Sequence, residues 1–176
     1  NRLTPSRPDA TDAARSLMHG IMVGEIQALE GAGRTCFDFV TGEEAPFALK
    51  LDMARQCWDE ARHVEVFGRY LDEKMGGGYP INVHLEMLLD DIVKDSRWDF
   101  TYLGMQIMVE GLALAAFGLM HQTTNEPLLK KLLRYVMSDE ARHVAFGVLS
   151  LKEVYDDMTD VEIRDRQEFA FEASIR

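Results

Sequence analysis

Apolar residues along this chain recur at steps of three and four, and no stretch alternates as a strand does. The first periodic stretch runs from about Thr11 to Phe39, behind Asp9 as its N-cap. The second starts behind Thr41-Gly42-Glu43-Glu44, which has capping-box spacing, and stops at Gly76-Gly77-Gly78 before Pro80. A short amphipathic piece covers about Ile81 to Lys94. The third long helix begins behind Ser96-Arg97-Trp98-Asp99 and fades at His121-Gln122-Thr123-Thr124. Asn125, with Pro127 just inside, starts a fourth helix that runs to about Tyr155. Thr159 to Glu162 then caps a C-terminal segment. No low-complexity tract or dividing linker intervenes, so residues 1–176 read as one all-α domain. Its core bundle covers about 11–156, and a truncated helical segment covers 157–176.

Each long helix has an apolar stripe, and each stripe is interrupted near its middle by a glutamate: Glu25, Glu60, Glu110 and Glu140. Stripes alone mean that helices pack together. Four carboxylates aimed into one apolar core are costly unless a positive charge neutralises them. Two of the four bring a histidine, because Glu60-Ala61-Arg62-His63 and Glu140-Ala141-Arg142-His143 are both Glu-x-x-His. Three residues advance about 300° around a helix, so the two side chains of each motif leave one face as neighbours. The surrounding segments also match: Asp59 to Val64 repeats as Asp139 to Val144, residue for residue. The chain is therefore a pseudo-repeat of two hairpins, each supplying Glu, Glu and His. If the second and third helices run the same way with their glutamates level, the connection must span about 42 Å. The segment from Gly76 to Ser96 is just long enough, which favours a long helical crossover over an up-down-up-down bundle.

Four carboxylates and two imidazoles in this distribution are the donor inventory of a dinuclear metal site. Two divalent ions bring four positive charges, which four ionised glutamates balance. Oxygen-rich ligands with one imidazole per metal suit iron or manganese better than zinc. Glu25, Glu60 and His63 are expected to hold one side of the site, and Glu110, Glu140 and His143 the other. The second ring nitrogen of each histidine needs an acceptor. Asp59 and Asp139 are placed to serve the histidine of the opposite hairpin, with Arg62 and Arg142 pairing with those aspartates.

Charge narrows the partners. The 176 residues hold 19 Lys and Arg against 30 Asp and Glu, a formal charge of −11, which disfavours nucleic acid and anionic membranes. No apolar run reads as membrane-spanning. Asn1 is preceded by no initiator Met or signal pattern, so the start is read as missing or processed. Cys36 and Cys57 lie too far apart for a disulfide, and the expected compartment is the cytoplasm. His121 lies roughly 16 Å along the helix from Glu110, too far to ligate with it. His19 and His84 lack a partner spacing.

The residues Glu25, Asp59-Glu60-x-Arg62-His63, Glu110 and Asp139-Glu140-x-Arg142-His143 resemble the ferritin-like di-iron carboxylate superfamily over about 15–155. The doubled Asp-Glu-x-Arg-His is similar to the branch holding bacterial multicomponent monooxygenase hydroxylases, N-oxygenases and the ribonucleotide reductase small subunit. The resemblance implies a four-helix bundle that uses two ferrous ions, or a manganese–iron pair, to activate O₂. Such proteins hydroxylate, desaturate, N-oxygenate or generate a radical. Phe67 stands where the reductase subunit has its radical tyrosine. Leu114 stands where methane-type hydroxylases have a threonine, and Val136 where the p-aminobenzoate N-oxygenase type has a third histidine.

The function expected is an O₂-dependent di-iron oxygenase or oxidase acting on a hydrophobic or aromatic small molecule. Its substrate pocket is expected at Phe67, Ile107, Ala113, Leu114 and Val136, with Met22, Ala28 and Phe146 nearby. No flavin or nicotinamide fingerprint is present, so an external electron donor is expected. A homodimer is compatible. The alternative is a ferritin-type ferroxidase that stores iron.

Overall fold

In the computed structural model, residues 16, 18–29, 31, 33, 47–78 and 80–175 are described. They are helical with no strand among them, as the periodicity predicts. Helix α1 is helical at every described residue from 16 to 33. Helix α2 (Phe47–Tyr70) continues into a π-helical turn, Leu71–Met75, and α3 spans Val83–Lys94. Next, α4 (Trp98–Thr101) passes through a π-helical segment, Tyr102–Val109, into α5 (Glu110–Thr123). Helices α6 (Pro127–Asp156) and α7 (Asp160–Ile175) complete the chain. Asp9, the Thr41-to-Glu44 box and Cys36 lie outside the described residues.

The boundaries follow local chemistry. The second stretch ends at Gly76 and Gly77, whose φ values of 77° and 111° suit glycine alone. Asn82 caps α3 by accepting the backbone N–H of His84. Thr159 and Glu162 form the expected reciprocal capping box on α7. One cap differs from expectation. Glu126, not Asn125, caps α6 and accepts from the Leu129 N–H. The reason is Pro127: its ring drives the preceding residue out of the helical region, and that residue is Glu126. The third helix begins at Trp98, behind Arg97, whose N–H is taken by Asp95.

The core divides into three clusters. One holds Met18, Phe67, Tyr70, Leu71, Phe117, Leu133 and Val136. A second gathers Ala28, Leu89, Ile92, Val93, Met105 and Val109, and a third Met53, Tyr102 and Leu151. Helix α6 packs along α5, the π segment before it and α2, while α3 and α7 cover that π segment. One described helix, Trp98–Thr123, is long and apolar enough to cross a membrane by length and composition, contrary to the sequence expectation. It carries the buried Glu110 at mid-length and lies against α6.

Candidate metal centre

Between the clusters the helices turn polar groups inward. Glu25 on α1 lies between Met18 and Ala28, and Glu60 and His63 on α2 lie between Met53 and Phe67. Glu110 opens α5 between Val109 and Phe117, and Glu140 and His143 follow Val136 on α6. All six side chains are buried, Glu60 and His63 completely. Their donor atoms form two groups within which every atom lies within 4.8 Å of the others. One group is Glu25, Glu60, His63 and Glu140; the other is Glu60, Glu110, Glu140 and His143. Glu60 and Glu140 belong to both groups. All six residues singled out in the sequence meet here.

The histidines face the carboxylates with the same nitrogen. His63 Nδ1 lies 3.0 Å from Glu25 Oε2, 3.0 Å from Glu140 Oε1 and 3.5 Å from Glu60 Oε2. His143 Nδ1 lies 2.8 Å from Glu60 Oε1 and 3.3 Å from Glu140 Oε2. A ring nitrogen has one proton to give, so several carboxylate oxygens around it converge on more positive charge than a proton supplies. Oε2 of Glu110 has no hydrogen-bond partner, and both Oε atoms of Glu60 and Oε1 of Glu140 meet only histidine Nδ1 atoms, with no hydrogen bond formed. Buried polar atoms of native proteins rarely go unpaired. Orphaned oxygens sharing two four-donor groups fit metal cations.

The other ring nitrogens reach across the pseudo-repeat as predicted. His63 Nε2 is 3.3 Å from Asp139 Oδ2, and His143 Nε2 is 3.4 Å from Asp59 Oδ2. Arg62 joins both aspartates, at 2.7 Å to Asp59 and 2.6 Å to Asp139, and Arg142 contacts both as well. The arginines reach solvent while the aspartates stay half-buried or buried, so the network seals the histidine side of the cluster.

The electrostatics express crowding. Burial pushes Glu25 well above the carboxylate range, against the pull of His63, and Glu140 and Glu60 add to the rise. Burial and the Glu140 charge push Glu110 up as well. Burial opposes ionising Glu60 too, but His143 and His63 outweigh it and hold that carboxyl at about 2. Burial would lower His143, but Glu140 and Glu60 raise it to about 11, and Glu140, Glu25 and Glu60 raise His63 likewise. Without metal, four carboxylates share a core only where protons and imidazolium ions substitute for cations.

Two residues escaped the sequence reading. Buried Gln56 donates from Nε2 to Glu110 Oε1 at 3.0 Å. Gln106 is buried with neither amide atom partnered. Each precedes a cluster glutamate by one helical turn, Gln56 before Glu60 and Gln106 before Glu110, and that spacing was the available signal.

The expected pocket needs correction. A cavity of 470 Å³ does adjoin the carboxylates, but of the five predicted residues only Ala113 lines it. Phe67 and Val136 are filled core, Phe67 stacking on Phe117 with ring centroids 5.7 Å apart. Ile107 packs beside Tyr102, and Leu114 lies off the stripe of Val109, Leu112, Ala113, Ala116 and Phe117 that faces the cavity. Of the neighbours, Ala28 lines the wall; Met22 and Phe146 pack against core clusters.

No protein-family model, curated protein or solved structure matches the chain.

Proposed function

We propose that this chain is an O₂-activating di-iron carboxylate oxidoreductase with a ferritin-like four-helix arrangement. The observation that carries the reading is the pair of four-donor groups sharing Glu60 and Glu140. Glu25 and His63 complete one metal position, and Glu110 and His143 the other. Two ferrous ions, or a manganese–iron pair, would supply the electrons that activate O₂. The protein's own part is to hold six donors, orient both imidazoles through Asp59 and Asp139, and keep water from the buried carboxylates.

The order in which the helices meet the core clusters supports the crossover. Helix α1 passes from the Met18 cluster to the Ala28 cluster, and α2 runs from Met53 back to Phe67. The helix through Glu110 leads from Met105 to Phe117, in the sense of α2, and α6 returns from Val136 to Leu151. Two parallel neighbours need a long connection, and α3 lies within it.

The test is anaerobic Fe(II) titration followed by stopped-flow mixing with O₂. Saturation at two irons per chain, with a transient visible absorption and a requirement for external electrons to turn over, is expected. Saturation far above two moves the function to ferritin-type storage, and no uptake removes both readings.

A further inference from the structure

The two halves of the cluster differ one helical turn outward from their donors. The repeat that matches Asp59 with Asp139 also matches Gln56 with Val136, each four residues before a shared glutamate. Val136 is buried in the core cluster of Phe67, which stands one turn beyond His63. Ile21, one turn before Glu25, packs against the same cluster. The Glu25 and His63 end of the centre therefore abuts apolar side chains. The Glu110 and His143 end abuts amides. Gln56 is 2% exposed and donates from Nε2 to Glu110 Oε1 at 3.0 Å. Gln106 stands one turn before Glu110 and meets Gly147, one turn beyond His143, where a Cβ would sit 2.7 Å from Gln106 Cβ.

Glu25 and Glu110 are thus held by unlike partners. The Nδ1 that approaches Glu25 Oε2 belongs to His63, itself a member of the donor group. A ring nitrogen cannot give a proton to Glu25 and a lone pair to a cation, so loading ends that contact. The amide nitrogen of Gln56 carries two protons and has no lone pair to offer, so its bond to Glu110 survives loading. An ionised carboxylate only accepts, which sets the amide with N–H toward it. With Oε1 held, Oε2 of Glu110, which has no hydrogen-bond partner, is the atom left to a cation. Gln56 is anchored in turn. One turn before it, Met53 accepts the hydroxyl of Tyr102, tying α2 to the π-helical segment that leads into Glu110.

We propose that Gln56 is a positioning residue for one metal position only. It holds Glu110 as a one-oxygen donor and so makes the Glu110 and His143 position unlike the Glu25 and His63 position. The inference rests on the metal reading above and deepens it: the two ions bind in unequal steps, and Gln56 governs one of them.

The experiment titrates the full chain with Co(II) without oxygen and reads both steps from the visible absorption, whose band positions report each ion's donors. Gln56→Met keeps the reach of the side chain and removes the N–H. Gln56→Leu removes it with a different shape, should the first variant fail to fold. Either should weaken one Co(II) step about 10- to 100-fold and move that ion's bands, with the other step unchanged. In a double-mutant cycle the loss should vanish when Glu110→Gln is already present and persist in full beside Glu25→Gln. Gln106→Met should leave both steps as they were. Loss of both steps alike, loss of neither, a loss that persists beside Glu110→Gln, or an equal loss in Gln106→Met overturns the inference and leaves the metal reading standing. No Co(II) uptake by the unsubstituted chain removes that reading and takes the inference with it.

Discussion

Glu126 joins two jobs in one side chain. Its carboxylate accepts the Leu129 N–H at the start of α6, and it also accepts the Tyr70 hydroxyl at 3.4 Å. Replacing it with alanine removes an N-cap, so Glu126→Ala should lower stability by about 1 kcal/mol in urea unfolding. Burial and the Glu126 charge push the Tyr70 phenol up to about 12. Because the folded value exceeds the ordinary value near 10, the contribution is complete below about pH 10 and is lost as pH rises through about 12. Absorbance titration of phenolate should show a late-ionising tyrosine that moves to lower pH in Glu126→Gln. An unchanged titration would detach Tyr70 from Glu126. The cluster residues were legible at this scale because Glu-x-x-His is a local signature. Gln56 and Gln106 were not, since standing one turn before a glutamate does not by itself tell a buried glutamine from a surface one until the helix opposite is placed.

At the scale of elements, the π-helical segment Tyr102–Val109 decides what reaches the site. It delivers Glu110 as the first residue of α5, and its buried side chains include Tyr102, Met105, Gln106 and Val109. A π-helix takes more residues per turn, so a stripe drawn at 3.6 residues through Leu103 and Ile107 falls out of phase. That is why Ile107 and Leu114 do not line the cavity. Helix α6 presses against this segment at Gly147, where a Cβ would sit 2.7 Å from Gln106 Cβ. Such an atom is tied to the backbone and cannot swing aside. Gly147→Ala should therefore cost about 1–3 kcal/mol through overpacking, read as a lower urea midpoint at unchanged slope. A neutral result would mean that the two helices slide apart freely there.

For the molecule as a whole, the acidic balance acquires a division of labour. Four of its carboxylates are buried in one small volume, where without metal only protons and imidazolium ions balance them. A cation that binds the folded chain and not the unfolded one must stabilise it. Free Co(II) at a hundred times its dissociation constant should add about 2.7 kcal/mol per site, and chelation should reverse the gain. A melting temperature indifferent to metal at neutral pH would sink the assignment of Glu25, Glu60, Glu110 and Glu140.

By itself the sequence determined the all-α class, the main helices and the six residues that converge, because periodicity, capping chemistry and Glu-x-x-His are written in consecutive positions. It also determined the aspartate–arginine network, since the doubled motif implies a two-fold exchange of partners. Only the tertiary structure decided that Glu60 and Glu140 are the shared pair, for sharing depends on distances between helices. The same holds for the cavity. Its place between α1, α3 and α5 follows from helix rotation, and a π-helical segment resets that rotation without leaving a mark in the 3.6-residue pattern.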